Sequence, residues 1–345
     1  MLQPPPPRKR HGRLLRSGAA FVVLLSVAGY LTVQYVTGGA GAPGCKVVAS
    51  GDGHATYEFT PEQAVNAATI TAVGTARGLP EEAVTIALAT ALQESTLRNI
   101  DYGDRDSLGL FQQRPSQGWG TPEEIMDPAY SAGMFYEHLV EVPGYTRLPL
   151  TVAAQRVQRS GFPQAYAKHE PDATLLAAAL TGRSAATLTC EGRPGAGRAQ
   201  GPDAVRAALV RDFGQDVLQS AGETVDDASP VSVAPPSPTT GADGASGATG
   251  TEDGTGTAGG SDGRTVTLPV TAGAGAGSEE RLGQRGWQLA HWAVANASSL
   301  RIERVAYAGR EWTAGNTDSK WYPTDAGSAH GAERTAGPVR ITSAR

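Results

Sequence analysis

The sequence predicts a multidomain chain: an N-terminal transmembrane helix, a mainly α-helical domain, a disordered Gly/Ser/Thr/Pro-rich linker and a small α+β domain at the C-terminus. Three observations predict it. An apolar run behind a basic flank occupies residues 18–36, apolar residues at helical spacing fill much of 59–220, and a low-complexity tract separates that region from residues 265–345. Gly 44 and Pro 23 make up about a fifth of the 345 residues, against a usual share of about 12%. Part of the chain therefore lacks the apolar content to pack.

The first element is a membrane address. Residues 8–16 read RKRHGRLLR, with five Arg or Lys and no acid, inside a basic tail over 1–17. The apolar segment from Gly18 to Val36 follows, with Tyr30 and Tyr35 toward its far end. At 1.5 Å per residue it approaches the roughly 30 Å of a bilayer core. The charge bias places the N-terminus in the cytoplasm and the bulk of the chain outside the cell, as a single-pass membrane protein. Ala40-Gly41-Ala42 also fits a signal-peptide cleavage site, but Pro43 follows it directly and the apolar run is long for a signal peptide, so an uncleaved anchor is expected. A lipid on Cys45 is disfavoured by the distance of that cysteine from the apolar run. In an oxidising compartment, Cys45 and Cys190 flank one contiguous stretch and read as a disulfide, with two unpaired thiols as the alternative.

The helical domain is expected over 45–220. Gln63 to Arg77 carries Ala and Val at helical spacing, and Pro80-Glu81-Glu82 opens a second helix, with proline in its first turn and acids beside the positive dipole end. Further helices are expected near Asp127–Val142, Thr151–Arg159 and Asp203–Ser220. The linker, 221–264, buries too little apolar surface to offset the entropy of ordering. In 265–345, TVTLPV, ERVAYAG and PVRIT read as strands and GWQLAHWAVANASSL as a helix. Trp287, Trp292, Trp312 and Trp321 lie here, and they suit either core packing or a glycan-stacking face.

Several functions are excluded. A net charge of −5 gives no basic field for nucleic acid. A mean hydropathy of −0.26 rules out a polytopic membrane protein. The six histidines are scattered without ligand spacing, so no metal and no cofactor are expected.

One carboxylate stands out. Between Glu82 and Glu94 there is no charged residue, so Glu94 projects from the end of a largely buried helix. Burial and the negative end of the helix dipole both favour its protonated form, which suits a general acid. The plainer alternative is a solvent-exposed helix end with Glu94 paired to Arg98. After Glu94 comes STLRNIDYGDRDSLGLFQQRPSQGWG, a Gly- and Asp-rich stretch that reads as a cleft wall. Gly109 would allow backbone to approach a ligand, Ser107 and Gln112 offer hydrogen bonds to sugar hydroxyl and acetamido groups, and Trp119 offers a stacking face.

Glu94-Ser95 followed by Ser107-Leu108-Gly109-Leu110-Phe111-Gln112 resembles the lysozyme-like superfamily, in particular lytic transglycosylases, with Ser107 one residue closer to the glycine. The stretch from Gln93 to Pro128 is similar to a segment of actinobacterial cell-surface proteins with a lysozyme-like domain, and the likeness spans about Thr60 to His169. Residues 265–345 are similar to a C-terminal domain of actinobacterial secreted proteins. The resemblance implies that Glu94 is general acid and base, that Ser107 and Gln112 line the cleft, and that peptidoglycan glycan strands are the partner. The Ala-Tyr-Asn-Ala-Gly segment of the transglycosylases is absent. In its place stands AAQRVQRSGFPQAY, where Gln155, Gln158, Ser160 and Tyr166 are the candidates for positioning. Asp101, Asp104 and Asp106 are candidate second carboxylates. A muralytic enzyme is expected, and a catalytically inactive glycan-binding or scaffold protein is the alternative.

Overall fold

The computed structural model describes residues 44–51, 54–160, 164–192, 201–219, 263–270, 279–316, 320–324 and 337–344. The expected membrane span and nearly all of the expected linker lie outside these residues. Among the described residues, no helix is long and apolar enough to cross a membrane.

The fold is mixed helix and sheet. Its first layer is a three-stranded antiparallel sheet of order β2-β1-β3, built from β1 (Cys45–Val48), β2 (Thr56–Phe59) and β3 (Leu188–Cys190). Cys45 pairs with Phe59 on one side and with Cys190 on the other. The two cysteines are bonded, S–S 2.01 Å, across a sequence separation of 145 residues. Closing so long a loop stabilises the fold by about 5 kcal/mol in the chain-entropy account.

The helices between these strands form the body. Helix α1 (Pro61–Ala76) begins at Thr60, whose hydroxyl accepts from the Gln63 N–H while the Gln63 side chain accepts from the Thr60 N–H. This reciprocal cap satisfies two otherwise orphaned donors. Helix α2 (Glu81–Ser95) is buried from Ala83 to Leu92 and lies against α1, α4 (Pro128–Val140), α5 (Leu150–Gln158) and α6 (Glu170–Leu180). Its four alanines let these neighbours approach closely, which is why a charged residue has no place along it. The short α3 (Pro122–Ile125) precedes α4. The helix expected over Asp203–Ser220 is broken at Gly214, φ +87°, into α7 (Gly201–Phe213) and α8 (Asp216–Gln219).

The C-terminal segment adds a five-stranded antiparallel sheet of order β4-β8-β5-β6-β7. Its strands are β4 (Thr265–Leu268), β5 (Ile302–Tyr307), β6 (Arg310–Thr313), β7 (Tyr322–Pro323) and β8 (Val339–Ser343), with α9 (Glu279–Ala295) and α10 (Ala297–Leu300) between β4 and β5. Residues 265–345 were expected as a separate domain, and that expectation is corrected. Cys45 to Arg345 is one compact unit with a continuous apolar core, and α9 packs on α1, α6 and β3.

The physical reason is visible in the tryptophans. Trp287, Trp292, Trp312 and Trp321 are all buried, and a buried indole N–H must find an acceptor. Trp312 Nε1 donates to Cys190 O at 3.0 Å and Trp321 Nε1 to Leu188 O at 2.9 Å. Trp292 Nε1 donates to Asp212 Oδ2 at 2.8 Å. Each acceptor belongs to the helical body or its sheet. Gly182, at φ +80°, marks the closest approach, because a Cβ there would occupy the position of Gln284 O on α9.

Candidate functional site

Glu94 sits one residue from the end of α2, half-buried. The helix stops just beyond it because Thr96 and Leu97 both take left-handed backbone conformations, φ +57° and +58°. The freed carbonyls are answered by α1: Gln63 Nε2 donates to Thr96 O and Asn66 Nδ2 to Leu97 O, each at 2.8 Å. Ser95 Oγ donates to Leu110 O at 2.8 Å and so ties the helix end to the following loop. This turn carries Arg98 off the helix, and Glu94 and Arg98 form no ion pair. The solvent-exposed, Arg-paired alternative for Glu94 is not what the chain adopts.

The carboxyl faces a cleft of about 640 Å³. Burial pushes its pKa up, opposed by hydrogen bonds from Tyr166 and Gln158 that favour the ionised form. Desolvation is the larger effect, so the group is held toward its protonated state. Tyr166 is fully buried and donates its O–H to Glu94 Oε1 at 2.7 Å. Burial and the adjacent Glu94 raise the Tyr166 phenol far above its usual range, so it stays a donor. Gln158 Nε2 also donates to Phe111 O at 2.7 Å, which fixes its amide between Glu94 and the loop. The proton of Glu94 is thus governed by two neutral side chains and no charged one.

The structure distributes the remaining expected residues unevenly. Ser107, Gln112 and Trp119 line the cleft with Glu94. Gln112 takes φ +48° and turns its amide onto Tyr102 O and Gly109 O, at 3.3 and 3.4 Å, so it also closes the loop. Trp119 lies half-exposed with its ring 4.2 Å from that of His138. Gly109 is not in the wall. At φ +76°, its Cβ position would meet Ile125 O at 2.8 Å, so the glycine permits a close backbone contact with α3 rather than with a ligand. Gln155 is also outside the wall, donating to Ser160 O at 3.4 Å. Ser160 itself lies in the wall.

Of the three candidate second carboxylates, only Asp104 lines the cleft. Hydrogen bonds from the Ser116 hydroxyl, from the Ser116 N–H at 2.9 Å and from Arg114 Nε at 2.7 Å hold the Asp106 carboxyl well below the usual range and commit it to the loop. Asp101 is exposed on the loop outside the wall. Sequence reasoning missed Gln113, Arg114, His138 and Arg159 as wall residues. Their positions depend on how the 98–119 loop folds over α4 and α5, and no local pattern signals that.

Backbone conformation sets this region apart. Eight non-glycine residues have positive φ among the described residues, and five of them, Thr96, Leu97, Arg105, Gln112 and Arg159, lie in the segments that build the cleft. Such conformations cost energy and persist where surrounding contacts over-determine them, often at functional sites. Among the described residues, no group of three or more His, Cys, Asp or Glu is placed to hold a metal ion. No protein-family model matches the chain, and no curated protein matches it.

Proposed function

We propose that this protein is a membrane-anchored muralytic enzyme of the lysozyme-like kind, cleaving the glycosidic bond between N-acetylmuramic acid and N-acetylglucosamine in peptidoglycan. The observation that carries the reading is a single desolvated carboxyl, Glu94, held toward its protonated form at the wall of a polar cleft and steered by Tyr166 and Gln158. A group poised in this way suits protonation of a leaving oxygen near neutral pH.

In this mechanism Glu94 gives its proton to the glycosidic oxygen as the C–O bond breaks. The 2-acetamido carbonyl oxygen of the sugar attacks C1 in its place, so no second carboxylate nucleophile is required. Glu94, now a carboxylate, then removes a proton either from the muramyl 6-hydroxyl or from a water, and that oxygen displaces the acetamido group from C1. The first route gives a 1,6-anhydro end and the second a reducing end. Ser107 and Gln112 hold the sugar's polar groups and Trp119 offers its face.

Mass analysis of the soluble fragments released from purified peptidoglycan tests this reading. Anhydromuramyl ends identify a lytic transglycosylase and reducing ends a muramidase. Binding to the wall with no release of fragments would favour a second reading, a glycan-binding or scaffold protein. The observation on its side is the absence of the Ala-Tyr-Asn-Ala-Gly segment.

A further inference from the structure

Five ionisable side chains line the cleft: Glu94, Asp104, Arg114, His138 and Arg159. Their charges are not equally compensated. Glu94 is held toward neutrality by burial, and Arg114 is answered by Asp106 at 2.7 Å. Arg159 is exposed and meets no carboxylate among the described residues.

The backbone under Arg159 makes its presence informative. It is the C-cap of α5 in the left-handed conformation, φ +51° and ψ +34°, with its N–H donated to Gln155 O at 2.7 Å. Glycine is the residue that this cap favours, because a Cβ there crowds the backbone. Arg301 takes the same conformation at the end of α10, but its Nε and Nη1 are buried in the fold. At Arg159 no such packing offsets the conformational cost. The chain thus holds a long cation in a strained position, next to Gln158, which reaches Glu94.

We propose that Arg159 is a specificity-determining residue that receives a carboxylate carried by the glycan strand. The inference rests on the glycan reading above and adds the chemical class that the cleft selects. An exposed guanidinium pairs with carboxylates through a planar, two-pronged hydrogen-bonding face. On a peptidoglycan strand the carboxylate has two sources, the lactyl group of a muramyl residue stripped of its peptide or the stem peptide itself.

The test uses the full chain carrying Glu94→Gln, so that ligands are not turned over, with and without Arg159→Gly. Dissociation constants are measured at low and high salt for three soluble probes: peptide-stripped glycan strands, peptide-bearing strands and a neutral N-acetylglucosamine oligomer. Arg159→Gly is expected to weaken binding of a carboxylate-bearing strand about tenfold and to abolish the salt dependence of that binding. Binding of the neutral oligomer should not change. Arg159→Lys should restore part of the loss. Because glycine suits the left-handed cap, the melting temperature of Arg159→Gly should equal or exceed that of its parent, which separates a binding role from a structural one. A loss confined to stripped strands assigns the lactyl carboxylate, and one confined to peptide-bearing strands assigns the stem. Equal weakening for all three probes, or none, overturns the assignment while leaving the glycan reading intact. If the parent binds none of the probes, both fall together.

Discussion

The cleft wall and the C-terminal segment use their polar and aromatic side chains in opposite ways. In the C-terminal segment four tryptophans are buried, and three of them spend their indole N–H on acceptors in the helical body. The fifth, Trp119, stays half-exposed beside His138 at the cleft. The segment's buried histidine, His291, donates from Nδ1 to Ala179 O, because a carbonyl can only accept. At the cleft, Ser107, Gln112, Gln158 and Arg159 instead line open space, Gln112 and Arg159 on left-handed backbone, while the amides of Gln112 and Gln158 also hold loop carbonyls. One region is consumed by holding the molecule together, and the other also faces open space. In the proposed reading the chemistry belongs to the body, and the C-terminal segment is its support.

Removal of residues 265–345 has the largest expected effect. If they are support, the remaining chain loses the cover of α1, α6 and β3 and should fail to fold as a protease-resistant body. A truncated form that melts cooperatively and still acts on the wall would show the segment to be an accessory.

Acid probes the same junction more gently. His291 is fully buried beside the rings of Trp287 and Trp321, and burial lowers its pKa to about 4 from the ordinary 6.5. Its folded pKa is depressed, so the stability that it contributes is complete above about pH 6.5 and declines as pH falls toward 4. The full difference is on the order of 3 kcal/mol. His291→Gln should flatten that part of the pH profile in denaturant titrations. An unchanged slope would mean that His291 does not stay neutral in the fold.

A smaller effect is expected at the cleft from Tyr166→Phe. The lost O–H favours the ionised form of Glu94, so its removal raises the Glu94 pKa further. In the proposed mechanism Glu94 acts first as an acid, so the fall in kcat/KM on the alkaline side should move to higher pH. A shift to lower pH would contradict the hydrogen bond's role.

Much of the body was legible in the sequence and the arrangement of the C-terminal segment was not. The uncharged run from Ala83 to Gln93 marked α2 as buried, and it is. Cys45 and Cys190, which flank one contiguous stretch of sequence, are bonded to each other. Helix α6 was overlooked although Pro171, with Glu170 and Asp172 in its first turn, marks a helix start. The strands β1, β2 and β3 have only three or four residues each, too few for an alternation to register. The packing of α9 escaped for a different reason. The low-complexity tract implied separation, whereas the contacts that bind α9, among them Gln288 Nε2 to Thr75 Oγ1 at 2.7 Å, join residues far apart in sequence. At the site, Glu94 and Tyr166 were read from the chain, but that one donates to the other depends on the packing of 164–169 against α2.

Glu94 is proposed to carry the chemistry and to be dispensable for the fold. The direct test sets Glu94→Gln beside the unaltered protein, with fragment release from purified peptidoglycan and thermal melting measured on the same preparations. A loss of release of at least about 100-fold with an unchanged melting temperature is expected. Fragment release undiminished by the substitution would contradict that role.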